Sequence, residues 1–139
     1  MIKIYCIDKT WLKYILSENI VAITFMPWGI YLNKRVYEMS NENNINIIQH
    51  EKIHAAQQTE LIYLFFYLWY GLEWLFRFIY YLFAYIPYRK LIRKTKQNYF
   101  SSSSYSAYLN ISFELEAIAN ESDINYLTNR NRFDFIKFI

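Results

Sequence analysis

The chain has 139 residues, which is enough for one domain with a substantial core and leaves little for a second. Because 55% of the residues are hydrophobic and 22% aromatic, against only two Gly and two Pro, we expect a protein rich in helix and strand and poor in loops. The net charge is +3, and the single cysteine, Cys6, excludes an internal disulfide and a cysteine-rich zinc ribbon, so any zinc site must use histidine and carboxylate ligands.

The first 38 residues are predicted to form a region of strand and hairpin. Residues 2–7 indicate a short strand, and residues 11–16 indicate one or two helical turns. Val21–Met26 is β-branched and apolar, residues 27–29 interrupt it with Pro and Gly, and Ile30–Asn33 resumes it, a pattern typical of a hairpin. Charged residues break up the N-terminal apolar sequence, so it does not resemble a cleavable signal peptide.

Residues 50–54, His-Glu-Lys-Ile-His, carry the strongest indication of chemistry. Residues 39–46 are polar and suit a loop ending in an N-cap, so we expect a helix from about Ile45 through His54. Residues four apart on a helix share a face, so His50 and His54, the only two histidines, can bind one Zn²⁺. Glu51 can then take a proton from a zinc-bound water. The alternative is a buried, purely structural histidine pair.

The predicted hairpin lies just upstream of this helix. Many zinc peptidases present such a strand edge to an extended substrate, which adds to the sheet by β-augmentation. A hairpin that merely covers the helix fits the sequence equally well.

Residues 61–88 form an apolar segment whose only charges are Glu73 and Arg77. The segment is long enough to span a bilayer, and the two charges are spaced to pair on one helical face. If a third zinc ligand follows the segment, however, a single crossing would put the ligands on opposite sides of the membrane. Three arrangements remain compatible with such a site: a helix in the core, a helix in the membrane interface, or a bend near Gly71. The many tyrosines and tryptophans favour the interface.

A run of cationic residues follows this segment and contains no acid: Arg89, Lys90, Arg93, Lys94 and Lys96. We expect the run to contact anionic lipid headgroups, although a solvated helix end that complements the helix dipole is the alternative. Nucleic-acid binding is disfavoured, because the run is short and continuous with a membrane-like segment. We therefore expect a membrane-associated protein on the cytoplasmic side, with a soluble cytoplasmic protein as the alternative.

The C-terminal part is predicted to contain a helix over residues 105–128, with Ser101–Ser104 supplying N-caps. Its acids fall in two ridges, and either ridge could face the histidines: Glu114 with Glu121, and Glu116 with Asp123. Apolar residues are expected to line one side of this helix and to bury it: Ile111, Leu115, Ile118 and Ala119. A carboxylate buried there needs a partner, which a metal or Arg77 would provide. Residues 130–139 are predicted to be an amphipathic tail that docks on the body.

The HExxH sequence followed at a distance by Glu114-Leu-Glu116-Ala117 resembles the gluzincin-type zinc metallopeptidases, in which a later Glu is the third ligand. The membrane-embedded branch commonly has Glu-x-x-Ala-Asp there. That register implies Glu114 as the ligand, with Glu116 as the alternative, and puts Ile118 where an Asp would orient a histidine.

Three longer motifs also resemble a group of small, uncharacterised bacterial zincin-like proteins, over about residues 22–138. The motifs are His-Glu-Lys-Ile-His with Gln-Gln, Phe-Tyr-Leu-Trp-Tyr-x-Leu-Glu, and Ile-Ser-Phe-Glu-x-Glu-Ala. The resemblance implies a compact, minimal zincin-like domain. We expect a single domain over residues 1–139, mainly α with a small N-terminal hairpin or sheet (α+β) and long aromatic-rich helices.

The function we predict is that of a membrane-associated, zinc-dependent hydrolase, a peptidase acting on a peptide or protein. Glu73, Arg77 and Glu121 are candidates to support the ligands or the oxyanion, and a tyrosine could serve the oxyanion as well. Glu73 and Arg77 could instead simply pair, or Arg77 could pair with Glu116 or Glu121. The alternatives are a non-catalytic, zinc-bound zincin-like protein that binds a peptide or partner at a membrane surface, and a purely structural membrane-interface protein.

Overall fold

The computed structural model describes residues 2–16, 20–38, 43–88 and 98–139. In this part of the chain helices predominate, and a small sheet lies near the N-terminus. The α+β class predicted from the sequence is therefore confirmed. The basic run at residues 89–96 lies outside the described residues.

The sheet has three strands, β1 (Ile4–Cys6), β2 (Ala22–Phe25) and β3 (Gly29–Leu32), in the order β1-β3-β2. β2 and β3 form the predicted antiparallel hairpin, and β1 pairs with β3 in parallel. The hairpin needs a glycine at Gly29, because its φ is 144° and a Cβ there would meet the carbonyl oxygen of Lys3 at 2.4 Å. Because β3 lies between the other two strands, β2 is an edge strand.

The described residues also form six α-helices: α1 (Lys34–Glu38), α2 (Asn43–Glu60), α3 (Leu64–Ala84), α4 (Tyr99–Leu109), α5 (Ser112–Asn120) and α6 (Tyr126–Asn129). Short 3₁₀ helices cover Ile7–Lys9, Trp11–Tyr14 and Asp134–Phe138. α2 packs between the hairpin and α5, while α3 packs mainly on α4. The HExxH helix therefore lies at the centre of the fold.

The single C-terminal helix predicted over residues 105–128 is wrong. α4 ends at Leu109 and a new helix, α5, begins at Ser112. The predicted caps are also wrong, because Ser101–Ser104 lies within α4 and the side chain of Asn98 caps that helix by accepting the Phe100 N–H at 2.9 Å.

The predicted apolar side of this region is only partly correct. Ile111 is buried, but Ile118 is 44% exposed and Ala119 is also exposed. The new helix start changes which residues face inward, so that α5 instead buries Phe113 and Ala117 together with the two acids Glu114 and Glu116.

The apolar segment forms α3, which runs unbroken through Gly71, so the alternative of a bend there is wrong. Only Phe66 of this helix is buried, which also argues against a helix enclosed in the core. Phe66 packs with Ile111, Phe113 and Phe135 in the main apolar cluster. Among the described helices, none combines the length and the hydropathy needed to cross a bilayer.

The C-terminal tail docks on the body as predicted. Phe135 is 1% exposed, and its ring centroid lies 4.4 Å from that of Phe113 on α5. The end of the chain thus closes the core that supports α5.

Candidate metal centre

The structure brings three side chains with metal-binding atoms to one point: His50 and His54 on α2, and Glu114 on α5. The two Nε2 atoms are 3.1 Å apart, the Nε2 of His50 is 3.4 Å from Glu114 Oε2, and the Nε2 of His54 is 3.3 Å from Glu114 Oε1. Ligands at about 2.0–2.1 Å from a tetrahedral zinc ion are about 3.3 Å from one another. The donor types and their spacing therefore fit zinc.

Both imidazoles have a hydrogen-bond acceptor at the other ring nitrogen. His50 Nδ1 lies 2.9 Å from Glu121 Oε2, and His54 Nδ1 lies 2.8 Å from Gln57 Oε1. A carboxylate can only accept, and the Gln57 amide nitrogen donates to the carbonyl of Phe113 and to Glu116, which directs its oxygen at His54. Each Nδ1 therefore carries a proton, and a ring without a second proton has its Nε2 lone pair free for a metal.

The electrostatics of the three groups favour one shared positive charge. Burial lowers the pKa of His54, but the carboxylates of Glu114 and Glu51 and the hydrogen bond with Gln57 together outweigh burial and raise this pKa to about 9. Burial raises the pKa of Glu114. The two histidines and a hydrogen bond from Tyr70 lower it by more, so the net pKa lies well below its usual range. Without a metal, a proton on His54 supplies the charge that a cation would supply when bound.

Glu51 lies beside this group on α2 and is 6% exposed. Its Oε2 accepts a hydrogen bond of 2.6 Å from the hydroxyl of Thr24 on β2. Its Oε1 accepts none from the part of the chain that the structure describes. One oxygen is thus fixed by the hairpin, and the other is available to take a proton.

The edge of β2 is fastened to α2 by Gln58, whose amide donates to the Thr24 carbonyl and accepts from the Met26 N–H, both at 2.9 Å. By strand alternation, the N–H and C=O of Ala22 and the N–H of Thr24 face the same side. These groups have no hydrogen-bond partner among the described residues. A short stretch of strand edge beside the metal ligands is therefore open.

A cavity of about 760 Å³ contains the three ligands and Glu51. Its walls are mostly apolar and aromatic and come from β2, α2, α3 and α4. Two tyrosines line it near Glu114: the Tyr70 hydroxyl donates to Glu114 Oε1 at 2.8 Å, and Tyr108 is close enough for the Glu114 carboxylate to act on its pKa. Burial raises the pKa of Tyr108 well above its ordinary value, and the Glu114 carboxylate adds to this, so the phenol keeps its proton.

The other predicted site residues lie elsewhere. Glu73 and Arg77 pair through hydrogen bonds of 2.7 and 2.9 Å and do not line the cavity. Glu116, the alternative third ligand, is fully buried and turned away from the histidines toward Gln57, Tyr126 and Arg130. Glu121, by contrast, contacts a histidine directly.

Sequence reasoning missed four residues of this site: Thr24, Gln57, Tyr70 and Tyr108. Only Gln57 had a local signal, since it lies three residues after His54 and therefore on the same helical face. The others come from separate elements and are recognisable only after folding. Comparisons of the chain with protein-family models, with curated proteins and with solved structures found no match.

Proposed function

We propose that the protein is a zinc-dependent metallohydrolase, and specifically a peptidase. The observation that carries the proposal is the trio of near-equal distances, 3.1, 3.3 and 3.4 Å, between the donor atoms of His50, His54 and Glu114. A hydrogen-bonded histidine pair needs no carboxylate equidistant from both rings, whereas a metal ligand set does. The acceptors at both Nδ1 atoms support the same interpretation.

In this proposal zinc, held by His50, His54 and Glu114, would polarise the scissile carbonyl and lower the pKa of a water molecule. Glu51 takes a proton from the attacking water and delivers it to the leaving nitrogen as the C–N bond breaks. The water oxygen ends on the acyl carbon, and the Glu51 carboxylate is regenerated. Thr24 acts as a positioning residue, because its hydroxyl fixes one carboxylate oxygen of Glu51.

A tyrosine is a better candidate than Arg77 to donate a hydrogen bond to the developing oxyanion. Arg77 is engaged by Glu73 outside the cavity, whereas the Tyr70 and Tyr108 hydroxyls line it together with the ligands. An extended peptide is the substrate class that suits the open edge of β2, since its backbone would bond to Ala22 and Thr24. The aromatic and apolar walls would accept apolar side chains of that peptide.

The test is metal analysis together with hydrolysis of a peptide library followed by mass spectrometry. Wild type should bind about one zinc per chain, and His54→Ala and Glu114→Gln should lose most of it. Glu38→Gln, an exposed residue of α1, is the matched control and should retain it. Unchanged zinc in Glu114→Gln would remove that residue from the ligand set, and absence of zinc from wild type would reject the proposal.

A second candidate is a non-catalytic, zinc-bound protein that binds a peptide at the same edge. The observation that favours it is the 2.6 Å bond from Thr24 to Glu51, because it occupies one oxygen of the proposed base. Glu51→Gln separates the two candidates. A peptidase keeps its zinc and loses hydrolysis in this variant, whereas zinc binding without hydrolysis in both proteins would establish the non-catalytic function.

A further inference from the structure

The outer face of α3 carries an uninterrupted apolar stripe. Its members recur every three or four residues, so they lie along one side of the helix. They are between 42% and 70% exposed: Phe65, Leu68, Leu72, Phe76, Ile79 and Phe83. The stripe is about 27 Å long at 1.5 Å per residue. We call these six residues the α3 stripe.

The α3 stripe is too large to be an ordinary surface feature. Six side chains exposed to this extent present on the order of 600 Å² of apolar area, and a soluble monomer rarely exposes more than a few hundred in one patch. Leu75 extends the stripe on one side, and Trp69 and Tyr80 extend it on the other. No charged residue interrupts it within α3. Such a face in water is costly and implies a partner.

The opposite side of α3 is occupied by protein, since Phe66 is buried in the main apolar cluster and Tyr70 and Trp74 pack against that cluster. Glu73 and Arg77 pair there, and Glu73 also holds Ser112 of α5. α4 packs along this side. α3 therefore cannot be surrounded by lipid, and no described helix is suited to cross a bilayer. A helix that is apolar on one side and fastened to protein on the other is suited to lie in the plane of a membrane interface.

Charge distinguishes a membrane from a second copy of the chain. The sequence that follows α3 carries five cations and no acid between Arg89 and Lys96. Pairing two copies through the stripe would bring two such cationic runs into one complex without supplying an anion. Anionic headgroups supply one, and they also suit the polar atoms of Trp69 and Tyr80 at the edge of the stripe.

We propose that the α3 stripe is a docking surface for an anionic lipid bilayer, in which α3 lies in the interface. The residues through which α3 contributes to the metal-site cavity, Phe66, Tyr67 and Tyr70, lie on the other side of the helix. The helix thus separates the cavity from the lipid by about its own diameter, roughly 10 Å. A docked molecule keeps its cavity on the aqueous side, next to the membrane surface.

The test is co-flotation of the purified protein with vesicles of phosphatidylcholine alone or mixed with phosphatidylserine. Wild type should float with the mixed vesicles and release as salt is raised, because the electrostatic part is screened. Leu72→Glu/Phe76→Glu places two charges in the stripe and should lower the bound fraction at least about tenfold. Trp11→Glu/Ile15→Glu is the matched control, since it adds the same two charges at residues that are 67% and 69% exposed and belong to the N-terminal part of the chain, outside the stripe. It should bind as wild type does.

Zinc content and far-ultraviolet circular dichroism are measured on the same samples. Both should be unchanged in the stripe variant, which separates docking from the metal site and from misfolding. Wild type that does not float, or a stripe variant that floats equally well, would overturn the proposal. Sedimentation provides a further test: a wild-type dimer that becomes a monomer in the stripe variant, without vesicle binding, would assign the stripe to a second copy instead.

Discussion

His50 and His54 present the same ring nitrogen to the same point because their other nitrogens already have acceptors. Glu121 holds His50, and Gln57 holds His54. The resemblance to the gluzincins predicts an acid at position 118 for this task, whereas the residue there, Ile118, is apolar and 44% exposed. Glu121, just past the end of α5, takes that role instead. The three candidate ligands that the structure brings together were predictable from the sequence, whereas these acceptors depend on how α5 ends.

Zinc affinity is expected to rise with pH. Burial lowers the pKa of His54, but its polar neighbours, Glu114 foremost, together outweigh burial and raise this pKa to about 9 in the metal-free protein, so zinc must displace a proton below that pH. Apparent affinity should therefore increase by up to about tenfold per pH unit and level off above about pH 9. Competition with a chromophoric chelator measures it. In Glu114→Gln the main cause of the raised pKa is gone, so the levelling should move to lower pH. A flat affinity between about pH 6 and pH 8 would contradict this account.

At the scale of elements, α5 begins where it does because α3 supplies its cap. The residue before α5 is Ile111, which has no side chain able to cap. Glu73 replaces the cap by accepting from the backbone N–H and the hydroxyl of Ser112, at 2.8 and 2.6 Å. Glu114 lies two residues further on, so a carboxylate on α3 sets the position of a metal ligand.

This long-range cap explains why the break between α4 and α5 could not be predicted. The sequence around Ile111 contains no glycine or proline, and its local preferences allow a continuous helix. The hairpin and the HExxH helix were predictable because turn residues and local spacing define them. The pairing of Glu73 with Arg77 was predictable for the same reason, but the contact of Glu73 with Ser112 joins residues 39 apart.

Glu73→Ala should destabilise the protein by about 2 kcal/mol, because it removes the only cap of α5 seen in the described residues and leaves Arg77 unpaired. It should also weaken zinc binding, since Glu114 loses its fixed position. Arg77→Ala is the contrasting variant: it keeps both bonds from Ser112 and removes an ion pair whose cation is 27% exposed, so it should cost less than about 1 kcal/mol. Urea unfolding followed by circular dichroism measures both, and equal losses would refute the capping role.

At the scale of the whole molecule, Arg130 joins α2 and α5, the two helices that carry the candidate metal ligands. Its guanidinium contacts Glu60 at the end of α2 and Glu116 in the middle of α5. The docking of the tail was predictable from its amphipathic pattern, but this partner was not. Arg77 was an equally reasonable cation for Glu116, because sequence shows which charges exist and the fold decides which of them meet. Glu116 in turn accepts from Gln57, which orients His54.

Arg130→Met should therefore be strongly destabilising, because Glu116 is 0% exposed and would keep a buried charge without its cation. Breaking such a pair costs about 3–5 kcal/mol, whereas replacing both members with neutral residues often costs little. Arg130→Met combined with Glu116→Gln should recover the part of the loss that comes from Glu116, since the new amide oxygen can still accept from Gln57, while Glu60 stays without its cation. Equilibrium unfolding of the single and double variants, with zinc titration of each, measures both effects. If the double variant is no more stable than Arg130→Met alone, the loss comes from the packing of the tail and the Glu116 charge is not its cause.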